Sequence, residues 1–148
     1  MFQRFGDKQD WDEFARQAAV DVTYGRADRS VERIKDFLSR HTGTIAGRTI
    51  LDCGCNVGNW CNDYAAMGLL PAGVDQSEVA ISLARKKYPN IFFHQCRLEE
   101  LGNVGMYDMV SCVAVLQHNY LSSRRKIIKN MAAVTKLEGF LFLIELFN

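Results

Sequence analysis

Two carboxylates and one glycine-containing turn mark where this chain can do chemistry. The segment Ile50-Leu51-Asp52-Cys53-Gly54-Cys55-Asn56-Val57-Gly58-Asn59-Trp60 passes from an apolar strand through a turn into a helical pattern. Glycines at 54 and 58 permit a sharp turn and let a ligand lie against backbone where a Cβ would collide. A dinucleotide-binding turn wants glycine at 54, 56 and 59, but the chain has Gly54, Asn56 and Asn59, and no Gly-Lys-Ser/Thr follows. Asp52 closes the strand, where a carboxylate repels a pyrophosphate and attracts an ammonium group. The turn therefore reads as a cradle for a ligand that carries positive charge.

The second carboxylate is Asp75, in Ala72-Gly73-Val74-Asp75-Gln76-Ser77 at the end of the next strand. An acidic side chain there can accept both ribose hydroxyls of an adenosine; capping the helix that begins near Ser77 is the competing role. His118 follows the fourth strand, at the sheet end where ligands bind, and its near-neutral pKa suits a general base toward an acceptor hydroxyl or amine. Packing near a helix start is the competing role for that histidine. Trp11, Phe14 and Tyr24 read either as core residues or as a lid ahead of the site.

These groups must be held by a framework, and the hydrophobic periodicity supplies one. Helices are expected near Asp10 to Ala19 and Asp28 to His41, the second with Val31, Ile34, Phe37 and Leu38 on one stripe. Strands and helices then alternate: Thr49 to Cys53, helix Asn59 to Met67, Ala72 to Asp75, helix Ser77 to Tyr88, Ile91 to Gln95, Tyr107 to Val113, helix Ser122 to Thr135, and Gly139 to Phe147. Alternation of this kind specifies a doubly wound, mainly parallel Rossmann-like α/β sheet with helices on both faces, here with an N-terminal helical extension. One domain is expected over 1–148, residues 1–45 forming the extension or lid and 46–148 the core.

Composition narrows the function. With 148 residues, 48% hydrophobic and only two prolines, the chain can bury a real core. A net charge of +1 makes nucleic acid an unexpected partner, and no apolar run reaches the roughly 20 residues of a membrane span. The five cysteines, Cys53, Cys55, Cys61, Cys96 and Cys112, are odd in number and fall mostly in strands, which suits reduced buried thiols and a cytoplasmic setting. Zinc is rejected, because there is no Cys-x-x-Cys pair among the five cysteines.

Three segments, Leu51 to Gly58, Gly73 to Ser77 and Tyr107 to His118, occur in an order and spacing that resemble class I S-adenosylmethionine-dependent methyltransferases of the small-molecule type. The resemblance covers roughly residues 45 to 147. It implies S-adenosyl-L-methionine as cofactor, with the methionine moiety on Asp52, Gly54, Cys55, Asn56 and Gly58, the ribose on Asp75, and further contacts from Gln76, Cys96, Arg97, Leu98 and Val113. Cys96-Arg97 stands where the family often has an acidic residue near adenine, so the resemblance leaves adenine to the Leu98 amide and apolar contacts from Gln76 and Val79. Asn56 replaces the usual glycine, and asparagine tolerates positive φ better than other residues with a Cβ.

The resemblance also implies methyl transfer to a small-molecule acceptor with His118 as the catalytic candidate. A non-catalytic cofactor-binding module or subunit of a larger assembly is the alternative. The family's full sheet has seven strands, whereas this sequence stops after the fifth at Asn148. The strand Phe140 to Phe147 is then expected as an apolar edge. Candidate covers are the N-terminal helices, a second copy, a partner chain, or further sequence if this is a fragment.

Overall fold

The structure is a computed structural model that describes residues 8–21 and 30–145. Its helices are α1 (Lys8–Val20), α2 (Ser30–His41), α3 (Asn59–Ala66), α4 (Glu78–Lys87) and α5 (Leu121–Ala133). The strands are β1 (Thr49–Cys53), β2 (Leu70–Asp75), β3 (Phe92–Gln95), β4 (Tyr107–Val113) and β5 (Thr135–Ile144). They form one parallel sheet in the order β3-β2-β1-β4-β5, the doubly wound arrangement expected. Among the described residues no helix is long and apolar enough to cross a membrane.

Both faces of the central strand are covered, which is why Ile50, Leu51 and Cys53 form an unbroken apolar run apart from Asp52. On one face Leu51 and Cys53 pack with Val74, Val110 and Cys112 beneath Ile127 and Met131 of α5. On the other, Ile50 and Met109 pack with Ile34 and Leu38 of α2 and Tyr64 of α3. Cys55 lies with Cys61 and Phe93 in a separate cluster; β1 ends at Cys53, and the left-handed Gly54 at φ 80 turns Cys55 away from the face that i and i+2 would share in a continuing strand. All five thiols are free.

Helix α4 has an explicit sequence logic. Ser77 caps it by accepting a hydrogen bond from the Ala80 amide at 3.0 Å, Glu78 sits in its first turn, and Arg85, Lys86 and Lys87 sit in its last. Pro89 disfavours helical continuation at Tyr88. The Ser77 cap removes that role from Asp75.

The expected edge strand needed correction at its start. It begins at Thr135 rather than Gly139, because Thr135 already pairs with Tyr107; the register then shifts, and pairing resumes at Met109 with Phe140. Glu138 takes φ 64 in the interruption, and Gly139 lies so close to Asp108 that a Cβ would come 2.7 Å from the Asp108 carbonyl oxygen. Phe37 of α2 meets Phe140 and Phe142 edge-on, each at 5.5 Å between ring centroids. An N-terminal helix thus covers one face of β5, while Leu143 on the other remains 40% exposed. Phe147, Tyr24, Asp28 and the first residues of the chain lie outside the described residues.

Candidate functional site

The strand order reverses at β1, so its C-terminal end and those of its neighbours β2 and β4 border the crevice where such sheets bind ligands. Helix α1 lies across this region. Ala15 and Ala18 are buried against Val57 of the β1–α3 turn and Ala80 of α4. The Asn59 amide nitrogen donates to the Ala18 carbonyl at 3.4 Å, while the Asn59 side-chain oxygen accepts from Lys87 and Tyr88. Trp11 reaches the opposite bank, its ring edge-on to His118 at 5.2 Å, with Phe14 beside it at 5.7 Å. Of the three aromatic lid candidates, the two described lie here.

Asp52 is 4% exposed and accepts a hydrogen bond from the Ser111 hydroxyl at 2.8 Å. Burial pushes its carboxyl up to about 7, against the stabilising pull of Ser111, and the Asp75 charge adds to the rise. The hydroxyl of fully buried Tyr64 has no hydrogen-bond partner among the described residues. Val113 lies two residues beyond Ser111 on β4, packed against the same apolar cluster.

The turn itself is built on left-handed residues: Gly54 at φ 80, Asn56 at φ 49 and Gly58 at φ 81. Asparagine does adopt the positive φ that its side chain tolerates. The glycines are needed by the protein's own packing, since a Cβ on Gly54 would lie 2.5 Å from Val115 and one on Gly58 2.5 Å from Phe93. The turn amides of Gly54 and Cys55 donate to Val74, that of Asn56 to Asp75, and that of Gly58 to Cys55. Gly58 brings no side-chain cap to α3. Helix α3 thus begins one turn after the C-terminal end of β1, which carries Asp52, with no side-chain cap at its N-terminus.

Asp75 accepts from the Asn56 amide through one oxygen and the Ser77 amide through the other, both at 2.9 Å. Burial raises its pKa, opposed by those two amides, and Asp12 of α1 adds repulsion. Asp12 in turn accepts a hydrogen bond from the Ser77 hydroxyl. The carboxylate thus ties the β1–α3 turn to the β2–α4 turn.

The remaining expected residues divide. Gln76 has its carbonyl held by Gln95 at 3.3 Å, and the Cys96 amide donates to the Asp75 carbonyl, keeping Cys96 next to the carboxylate. Three have their side chains engaged elsewhere, which for Leu98 agrees with a contact through its amide. Cys55 is buried against Cys61 and Phe93, Leu98 is buried in the core beneath α5, and the exposed Arg97 side chain pairs with Glu99 at 3.5 Å. These positions offer backbone only, apart from the outward guanidinium.

His118 closes a short 3₁₀ turn, Leu116–His118, after β4. It is half-buried, burial lowers its pKa, and its Nε2 lies 3.2 Å from the Gln117 side-chain nitrogen. A neutral imidazole is the form that accepts a proton. Sequence reasoning missed Ser111, Tyr64, Asp12 and Asn59, whose relevance depends on parallel register or helix docking; Ser111 stands directly opposite Asp52 in the β1–β4 pairing.

This architecture has counterparts. A family model described as a methyltransferase domain matches residues 50–139, and the chain belongs to that family, as a domain of the class I S-adenosylmethionine-dependent kind. In sequence it is 30% identical over 114 residues to a ubiquinone biosynthesis O-methyltransferase of Acinetobacter baylyi, a match covering 72% of this chain and 47% of that protein. The chain spans about half the length of such relatives. In structure it resembles magnesium protoporphyrin IX methyltransferase from Synechocystis PCC 6803 with bound S-adenosylmethionine, with a TM-score of 0.69 and 23% identity over 92% of this chain and 75% of that one. It also resembles a methyltransferase from Corynebacterium glutamicum, with a TM-score of 0.72 and 17% identity over 90% and 71% of the two chains.

Proposed function

We propose that the chain binds S-adenosyl-L-methionine at the C-terminal ends of β1 and β2 and transfers its methyl group to a hydroxyl of a small-molecule acceptor held beneath α1. The observation that carries this reading is that buried Asp52, near the end of β1, and the N-terminus of α3, which has no side-chain cap, flank one left-handed turn, Gly54 to Gly58. One attracts an ammonium and the other a carboxylate, the two charges of an amino-acid end group. Asp75, a carboxylate at the C-terminal end of β2, suits the ribose hydroxyls as a hydrogen-bond acceptor.

When bound, the cofactor supplies a methyl carbon on a sulfonium, already activated for in-line displacement. The chain's own residues then have to align the acceptor, exclude water and take one proton. Trp11 and Phe14 supply an apolar wall. Neutral His118 would take up the proton of the acceptor hydroxyl as the methyl group is transferred. The names of the sequence relatives, O-methyltransferases, support oxygen as the acceptor atom. Free thiols support a cytoplasmic setting.

Calorimetric titration with S-adenosylhomocysteine and NAD tests the cofactor half. A dissociation constant in the low micromolar range, about −7 to −8 kcal/mol, is expected for the former and negligible binding for the latter. Preference for NAD overturns the reading. Transfer of labelled methyl to a panel of phenolic acceptors tests the catalytic half, and binding without transfer to any of them favours a non-catalytic module.

A further inference from the structure

We infer that Glu145, just beyond β5, is a positioning residue that fixes His118 against α1 and so shapes the acceptor side of the site. This rests on the reading of His118 as the acceptor-side base. The two carboxylate oxygens of Glu145 accept hydrogen bonds from consecutive backbone amides of the post-β4 turn, Leu116 and Gln117, each at 3.0 Å. Those amides open the turn that ends in His118, where no intrahelical acceptor exists for them.

The same segment is held from its other end. Arg124 of α5 donates to the carbonyls of Asn119 at 3.0 Å and Gln117 at 3.4 Å, and the Asn119 side chain donates to the Val115 carbonyl at 2.9 Å. A carboxylate on the amide end and a guanidinium on the carbonyl end both oppose the dipole of the turn between them. The hold is needed because the segment starts from a strained residue. Ala114 takes φ 55, a left-handed conformation a Cβ disfavours, and its amide donates to the Ile144 carbonyl at 2.7 Å. Three hydrogen bonds from residues 114, 116 and 117 thus land on the consecutive pair Ile144 and Glu145.

The geometry separates the two halves of the site. Glu145 makes no hydrogen bond to Asp52, Asp75 or Asn56, which carry the cofactor side. Its action on ligand chemistry passes through the turn to His118, whose ring meets Trp11.

The test uses Glu145→Gln and Glu145→Ala in the full chain. The sequence has two tryptophans and three histidines, so the nuclear Overhauser contact between the Trp11 and His118 rings can be assigned by single substitutions. Glu145→Ala is expected to abolish that contact, and Glu145→Gln, which keeps one acceptor oxygen, to weaken it by about half. Affinity for S-adenosylhomocysteine should stay within about threefold of the parent in both. A full-strength ring contact in a folded Glu145→Ala chain overturns the inference. So does a tenfold loss of S-adenosylhomocysteine affinity in Glu145→Gln, since the residue would then serve the cofactor side. If the parent chain binds no S-adenosylhomocysteine while the ring contact still depends on Glu145, the cofactor reading falls and the positioning role stands.

Discussion

Ser111 donates its hydroxyl to Asp52 at 2.8 Å across adjacent parallel strands, the two residues standing opposite each other in the β1–β4 register. This one bond lies in the only buried stretch of β1 that is not apolar. It gives the site a carboxylate that the fold alone would rather keep neutral.

That tension makes Asp52→Asn informative. The unfolded carboxyl ionises near 4 and the folded one near 7. Between those values the folded chain holds the extra proton, so this group's contribution to stability declines as pH rises from about 4 to about 7 and is flat above. Asparagine keeps an acceptor for Ser111 and removes the charge. The variant should melt at a higher temperature than the parent at pH 8, with little difference at pH 4. Its affinity for S-adenosylmethionine should fall by about 1 to 3 kcal/mol. Parent affinity should itself rise with pH toward 7, which titrations at several pH values will check.

Asp75→Ala should do two things at once. The Asn56 and Ser77 amides lose their acceptors, so the melting temperature should fall. Cofactor affinity should drop by about 1.5 to 3 kcal/mol through the lost ribose bonds. Denaturation without ligand and calorimetry with it separate the effects; an unchanged affinity would leave Asp75 a purely structural tie.

His118→Gln should lower turnover by about 100- to 10,000-fold on whichever phenolic acceptor the parent accepts, with S-adenosylhomocysteine binding little changed. Because burial lowers the imidazole pKa, the active neutral base persists as pH falls through the ordinary value near 6.5. The parent's rate should therefore hold at pH 6.5 and decline only below it. A profile already halved above 7 would remove His118 from the role of base.

Helix α1 should act on cofactor release. Trp11→Ala removes the ring that meets His118 and Phe14 but leaves Ala15, Ala18 and the Asn59 bond in place. Stopped-flow displacement of S-adenosylhomocysteine should show faster release, while the melting temperature falls by only a few degrees. Unchanged release would make α1 a static part of the core.

Some of this molecule was legible along the chain and some was not. The alternation of short apolar runs with helical runs determined the five parallel strands, because a strand buried on both faces must be apolar throughout. The turn at Gly54 to Gly58 and the carboxylates at Asp52 and Asp75 were legible for the same local reason: positive φ and strand-end charge are properties of single residues and their immediate neighbours. Only the tertiary structure decided that Ser77, not Asp75, caps α4, that Asp52 leans on Ser111, that Trp11 meets His118, and that Glu145 holds the turn before it. Those pairs are 28 to 107 residues apart or turn on a rotamer choice. Strand register and helix docking set which of them meet, and both are fixed by packing of the whole core rather than by any local pattern.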